Sequence, residues 1–379
     1  MKISRVTINL PNEQDPGGGF HAYVLTKEIE EPTLILTRKQ KAIFPLPRHA
    51  VVKEIPYHNS PFTWSLGNGI LRPGALRFKE KVRILLRLVF KLKEVLIFLS
   101  RAIPHLLRFK PDVIHVDGLI CAPSGIFAKS VLGSRFIITL HSVTEAALVQ
   151  RYPFLKRLLK YPDKLVCVSD AIKNSLTEAA LGVERLEVIP CGVDLELFKP
   201  LNLPRKDQLV AVGYLKWQKG YDYLLEAMAA LTNFSHYRLL MIGDGPDRSD
   251  IERKIESLKL SHRVRLLGML PQEEIVKHLN ESKLFIMSSL VEGLPKVLLE
   301  AIACGTPCVL TTACNAEGII ERVGSAVEPA NHRALARAIE NLLRDEERWN
   351  ELSRNCLKIA QEYGWDRIAG QTLRLYKGL

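Results

Sequence analysis

The sequence predicts an α/β protein of two Rossmann-like, parallel-sheet domains, and three observations carry that prediction. Short apolar runs such as DVIHV (112–116), RFIITLH (135–141), KLVCVS (164–169), QLVAVG (208–213) and KLFIM (283–287) recur along the chain, separated by helical patterns. Strands that are apolar throughout and alternate with helices belong to a parallel sheet covered on both faces. At 379 residues the chain is also too long for one ordinary core. The polar, Pro-containing stretch LNLPRKDQ (201–208) reads as a linker. It divides the chain into residues 1–200 and 201–362, with 363–379 as a terminal helix.

Composition bounds the function. With 47% hydrophobic and 25% charged residues the chain is a folded globular protein, which excludes extended disorder. A net charge of +12 asks for an anionic partner. The seven cysteines are odd in number and scattered, with no CxxC, so they read as small core residues in a reducing compartment. No zinc site or disulfide frame is expected from them. The N-terminus lacks a charged, apolar, small-residue order, and no apolar run approaches the length of a membrane span. These features predict a cytoplasmic protein whose membrane contact, if it has one, is peripheral.

Taken in order, KISRVTINLP forms a first strand that leads through Asn12–Asp15 and Gly17-Gly18-Gly19 into a helix over Phe20–Glu30. Strand, glycine loop and helix together let backbone amides approach a phosphate, which makes Gly17 and Gly18 candidates. Strands are expected at 32–37 and 50–55, and a loop over Pro56–Gly74. From Arg77 to Lys110 there are ten Lys or Arg and two Glu, so eight of the twelve net charges lie there. Lys79, Arg83, Arg87 and Lys91 recur every four residues as a basic stripe, beside an apolar face from Leu85 to Leu99. Such a helix fits an anionic bilayer through that stripe. It equally fits a surface helix packed on the first sheet with a solvated basic edge.

Beyond Pro111 the alternation becomes regular, with helices over Ile120–Leu132, Pro153–Lys160 and Asp170–Ala180 and a strand at 185–190. Ligands of parallel sheets sit beyond the carboxyl ends of strands, where His115 and His141 fall. Ser169 reads as a helix N-cap. In the second half, strands at 208–213, 237–242, 263–268 and 283–287 alternate with helices after Gly220, after the turn Gly243–Pro246 and from Pro271. From Asn331 the chain is helical.

The segment 288–311, SSLVEGLPKVLLEAIACGTPCVLT, concentrates the chemistry. Pro295 suits the first position of a helix to about Cys304 that is apolar nearly all round, hence buried. Glu300 lies inside that helix, so its carboxylate requires a hydrogen-bonding partner. Glu292 lies just before it, where backbone amides and the helix dipole favour an anion. A nucleotide sugar matches the segment: diphosphate on the amides, ribose diol on Glu300, sugar near Glu292. Lys219 stands at the start of another helix, a poor place for a cation unless an anion is bound.

EGLPKVLLEA followed by GTPCV resembles the E-x7-E segment of the retaining glycosyltransferases of family 4. CGVD with the following LFKP, VGYLKWQKGYDYLLEA, TLHS and the terminal WDRIAGQTLRLYKGL are similar to other signatures of that family. The resemblance covers nearly the whole chain and is specific mainly over 186–320. It implies the GT-B architecture, two Rossmann-like domains facing a central cleft, and transfer of a hexose from a UDP- or GDP-sugar with retention. It implies Glu292 and His141 as catalytic groups, with Gly17, Gly18, Lys219, Gly243, Gly293, Leu294, Pro295, Lys296 and Glu300 binding the donor. The acceptor it implies is a glycan or lipid-linked sugar at the inner face of the cell membrane. Where the family has a phosphate-binding Arg this chain has Tyr214, so Lys216 either substitutes or phosphate binding is weaker. Thr312–Glu317 also departs from paired glycines of the family. No DxD follows a strand, so no cofactor and no metal is expected, and nucleic acid is not expected because the charge sits in one apolar helix. A sugar-nucleotide epimerase of the same shape, and an inactive membrane-associated partner of a transferase, are the alternatives.

Overall fold

The computed structural model describes residues 1–7, 20–38, 48–55, 95–178, 182–314, 316 and 318–379. The Gly17–Gly18 loop, the stripe Lys79, Arg83, Arg87 and Lys91, and residues 315 and 317 of the loop after Thr312 lie outside the described residues. The chain forms two compact units, Met1–Ile189 with Ala369–Leu379, and Pro190–Ile368. The expected boundaries at 200/201 and 362/363 thus differ from the observed ones. The reason is a local zipper. Val193 N donates to Tyr363 O at 2.8 Å and Trp365 N to Val193 O at 3.3 Å. A Cβ at Gly192 would meet the Trp365 ring at 2.5 Å, so only glycine lets the two segments close. Phe198 joins the core of the second unit.

The first unit is built on seven parallel strands, β1 (Ile3–Val6), β2 (Thr33–Arg38), β3 (Ala50–Ile55), β4 (Val113–Asp117), β5 (Arg135–Leu140), β6 (Lys164–Cys167) and β7 (Leu186–Val188). Their order is β3-β2-β1-β4-β5-β6-β7. The order reverses between β1 and β4, so the loops after these two strands diverge and leave a crevice at their carboxyl ends. The helix Phe20–Glu28 ends two residues before its expected limit. Residues 95–109 are helical and bury Phe98, Ala102 and Leu106, spaced by four, while Leu96 and Leu107 stay exposed. The described part of the basic segment is therefore a surface helix that packs by one stripe. A helix over Val143–Arg151 was not among the sequence expectations. Its start carries the S-x-x-E pattern of a capping box, Ser142 to Glu145, and that pattern was the available signal.

The second unit has six parallel strands, β8 (Lys206–Val212), β9 (Arg238–Ile242), β10 (Val264–Gly268), β11 (Ser282–Met287), β12 (Cys308–Thr311) and β13 (Gly324–Val327). Their order, β10-β9-β8-β11-β12-β13, places the reversal between β8 and β11. Each face of this sheet carries its own core. Val210, Phe285, Leu298 and Ile302 pack on one side, and Leu209, Leu224, Leu284 and Ile339 on the other. The central strands are apolar throughout because both their faces are covered. The helix Lys296–Ala303 is buried as expected but starts one residue later. Pro295 has an extended ψ of 121° and is its N-cap rather than its first residue.

The expected linker is partly structural. β8 begins within it, and Arg205 is bonded into the second unit. Its guanidinium donates to the carbonyls of Leu279, Ser282, Cys304 and Gly305 and to the Thr306 hydroxyl, all at 2.8–3.0 Å. Two helices, Gln272–Glu281 and Lys296–Ala303, end at these carbonyls, where a cation complements the dipole. No helix of the described residues is long and apolar enough to cross a membrane.

Candidate functional site

Two of the polar residues marked by sequence in the second unit, Lys219 and Glu292, meet at its reversal point. β8 leads through Gly213 to the tight turn Trp217–Lys219, and β11 leads to Ser288 and the loop before Lys296. The two loops are pressed together at Gly220. It has φ +61°, and a Cβ there would lie 2.1 Å from the Ser288 carbonyl oxygen, so a side chain is excluded. Ser288 Oγ donates to Lys219 O at 2.9 Å and Leu290 N to Gln218 O at 2.7 Å. These bonds bring Lys219 Nζ onto Glu292 Oε1, which also accepts from Ser289 Oγ at 3.1 Å. The pair is largely shielded, with side chains 15% and 18% exposed. Glu292 N donates to Ala313 O at 3.1 Å, which ties the loop to the segment after β12.

Lys216 and Tyr214 separate at this site. Lys216 is half-buried, and burial, followed by the like charge of Lys219, pulls its ammonium below the usual lysine range, against the attraction of Glu292. Tyr214 is exposed. Lys216 thus feels the charges of the pair. Gly243 ends β9 with φ +134°, and its absent Cβ would lie 2.1 Å from the Gly213 carbonyl oxygen. It lets the ends of β8 and β9 close together. Asp244 then caps the turn, with Oδ1 accepting from Gly245 N at 2.7 Å.

Glu300 is 7% exposed, and the partner its burial demands is Lys296, one turn earlier on the same helix, at 3.4 Å. Pro295 is buried and Leu294 packs on the core, so the loop Glu292–Pro295 is anchored by its apolar side chains. The helix begins at Lys296, four residues after Glu292, and turns the positive end of its dipole toward this loop. The second unit therefore combines an ion pair, a nearby half-buried lysine, a helix N-terminus and a buried carboxylate.

His141 lies in the first unit, just after β5. Its Nε2 is 3.1 Å from Asp117 Oδ1 at the end of neighbouring β4. Its backbone N–H donates to Glu145 Oε2 at 3.0 Å, and Glu145 Oε1 accepts from Leu119 N at 3.0 Å. Sequence reading missed Asp117 and Glu145, because their partners come from other strands and loops. His115 is 2% exposed, with Nδ1 2.6 Å from the Tyr376 hydroxyl and Nε2 2.6 Å from Thr139 Oγ1. Burial pushes the Tyr376 phenol up to about 12, so it stays protonated and donates to Nδ1. Thr139 Oγ1 occupies Nε2, so both ring nitrogens of His115 are engaged within the first unit. His115 is a structural residue. Arg5, 2% exposed, stands over the Tyr376 ring beside it.

Among the described residues no group of three or more His, Cys, Asp or Glu is placed to hold a metal ion. Comparison with known proteins finds similarity to glycosyltransferases. A model of the glycosyl transferases group 1 matches residues 194–362, and a model of glycosyltransferase family 4 matches residues 65–197. The phosphatidylinositol N-acetylglucosaminyltransferase GPI3 subunit of Saccharomyces cerevisiae is 27% identical over 300 residues. That match covers 72% of this chain and 65% of the yeast protein, so the chain spans just under two-thirds of its relative. An MMP alpha-(1->4)-mannosyltransferase of Mycolicibacterium hassiacum is 28% identical over 290 residues, with 70% of each covered. Among solved structures, sucrose-phosphate synthase from Thermosynechococcus elongatus has a TM-score of 0.78 at 20% identity, covering 100% of this chain and 98% of that one. Anabaena HepE in complex with UDP-glucose has a TM-score of 0.75 at 18% identity, with 100% of both chains covered. The likeness places both units in the GT-B fold.

Proposed function

The chain belongs to glycosyltransferase family 4, and from that premise we propose that it moves a hexose from a nucleoside diphosphate sugar to a lipid-linked or polysaccharide acceptor at a membrane surface, with retention at the anomeric carbon. The observation that carries the reading is the Lys219–Glu292 pair at the reversal of the second sheet, with Glu300 buried on the helix that follows. Three parts suit three parts of one donor. Lys219, half-buried Lys216 and the first amides of Lys296–Ala303 offset the charge of the leaving diphosphate. Glu300, held on a rigid helix, accepts the two ribose hydroxyls. Glu292 holds the sugar and offsets positive charge that develops at the anomeric carbon, without becoming a covalent nucleophile. Gly17 and Gly18 approach the diphosphate, and His141 holds sugar hydroxyls or the acceptor proton. Because lysines and amides carry the leaving-group charge, the proposal requires no divalent metal. The UDP-glucose in HepE supports a nucleotide-sugar donor, and the yeast relative's phosphatidylinositol acceptor supports a lipid one.

A panel of UDP- and GDP-sugars screened by thermal shift tests the donor. One base should stabilise the chain and the other should not. In calorimetry with that donor, Glu300→Gln should bind about ten- to a hundredfold more weakly while the fold survives, since hydrogen bonds to a charged group contribute ~1.5–3 kcal/mol. Unchanged donor affinity in the variant removes the ribose from Glu300.

The membrane part rests on the eight net charges of residues 77–110. Vesicle binding should need anionic lipid and weaken with salt, each cation near the surface contributing ~1 kcal/mol. Replacing Lys79, Arg83, Arg87 and Lys91 by Gln should abolish flotation and lower transfer to a lipid-linked acceptor, while transfer to a short soluble analogue continues. Undiminished flotation of that variant would show that the stripe is not the contact.

A further inference from the structure

We propose that Glu145 is a positioning residue for transfer, which fixes the main chain at His141 by tying together the two loops that leave β4 and β5. The proposal rests on the reading of His141 given above. Glu145 is the third residue of the helix Val143–Arg151, where a glutamate ordinarily bonds back to its own N-cap. Here its two oxygens are directed elsewhere. Oε2 accepts from the N–H of His141, the residue before the cap, and Oε1 from the N–H of Leu119, 26 positions away, both at 3.0 Å.

The carboxylate is also part-buried against Gly118. Gly118 has φ +76°, and a Cβ there would lie 2.8 Å from Oε1, so glycine both permits the turn and leaves room for the oxygen. Gly118 N in turn donates to Thr139 O on β5 at 2.8 Å. Asp117, next to that glycine, is the group that holds the His141 ring. One carboxylate thus sets the spacing between the loop that carries Asp117 and the loop that carries His141. The ring is oriented through Asp117 and the main chain through Glu145. Two charge-assisted bonds to backbone amides make such a bridge stiffer than a neutral one.

The test uses the full chain with Glu145→Ala, Glu145→Gln and Gly118→Ala. Amide hydrogen exchange at Leu119 and His141 should be about tenfold faster in Glu145→Ala, as a local bridge opens without global unfolding. With UDP-glucose and GDP-mannose as donors and water as acceptor, kcat should fall about tenfold or more, while the donor KM stays within about twofold, because misplacement of a catalytic group costs rate rather than binding. Glu145→Gln keeps one acceptor oxygen and should lie between Glu145→Ala and wild type in both measurements. Gly118→Ala, which displaces the carboxylate without removing it, should reproduce the faster exchange. Unchanged exchange at both amides overturns the proposal, as does faster exchange with unaltered kcat. A joint fall of kcat, donor affinity and melting temperature also overturns it, because it marks a purely structural residue. If the wild-type chain turns over neither donor, the exchange measurement decides alone, and the donor reading fails separately.

Discussion

Replacing Glu292 by Gln is expected to move binding and transfer in opposite directions. Lys219 is engaged by Glu292 Oε1, so a diphosphate must take the lysine away from an existing anion. Gln keeps the shape and removes that competitor. UDP or GDP should therefore bind about tenfold more tightly, ~1.4 kcal/mol, in isothermal calorimetry. On the proposed reading the same change also removes the carboxylate that offsets charge at the anomeric carbon, and transfer should fall about a hundred- to a thousandfold. Lys219→Ala supplies the contrast. It should weaken the nucleoside diphosphate strongly and leave the bare nucleoside nearly unaffected, since an ammonium addresses only phosphate. A Glu292→Gln chain that binds the diphosphate no better than wild type would mean that Lys219 and the phosphates do not compete. Tyr214→Arg, at an exposed position on the same loop, should strengthen diphosphate binding in the same titration.

Arg205→Ala is expected to cost the second unit ~3 kcal/mol or more, well above an ordinary surface substitution. Its fork serves four carbonyls and one hydroxyl that gather where two helices and β11 meet. Removing the fork takes five bonds from a partly buried place. Leu279 O and Gly305 O keep Thr306 and Ser353 as donors, but the other acceptors lose a charged partner, which is costly. Burial already pulls the guanidinium below the usual arginine range, so the site holds the cation only because the bonds are made. Arg205→Lys should lose nearly as much, because one ammonium cannot reach five acceptors arranged for a planar fork. Arg253→Lys, on an exposed helix face, should stay within ~0.5 kcal/mol in the same urea titration. Because the helix that carries Glu300 ends on this arginine, loss of donor binding should track the loss of stability. A near-neutral Arg205→Lys would show that charge alone, and not the fork, matters.

What was legible in the sequence followed from periodicity and from local rules. Apolar runs separated by helices gave the parallel sheets, and the buried helix of Glu300 was visible in its own composition. The meeting of Lys219 and Glu292 was accessible only through strand order: each follows one of the two central strands, and parallel strands deliver their loops to one edge. Residues whose partners are distant in sequence were not legible. Asp117 and Glu145 are ordinary acids until β4 and β5 pair, and Arg205 looks like linker until three other segments surround it. His115 shows the converse. Its strand-end position was shared with His141, but its neighbours on β1, β5 and the last helix occupy both ring nitrogens. The Pro295 boundary shifted by one residue because ψ, which the proline ring leaves open, decided it.

The discontinuity of the first unit bears on the order in which the protein is made. Ala369–Leu379 belongs with Met1–Ile189, yet the ribosome delivers it only after the whole of Pro190–Ile368. At ~5–20 residues per second, the intervening unit occupies about 10–35 s of synthesis. Throughout that interval the nascent first unit has no Tyr376 hydroxyl to pair with His115, and Arg5 has no ring to stand over. The second unit is contiguous and meets no such delay. The half of the chain that emerges first is therefore the half that completes its fold last, and its open sheet face is the surface a holdase chaperone would meet on the nascent chain.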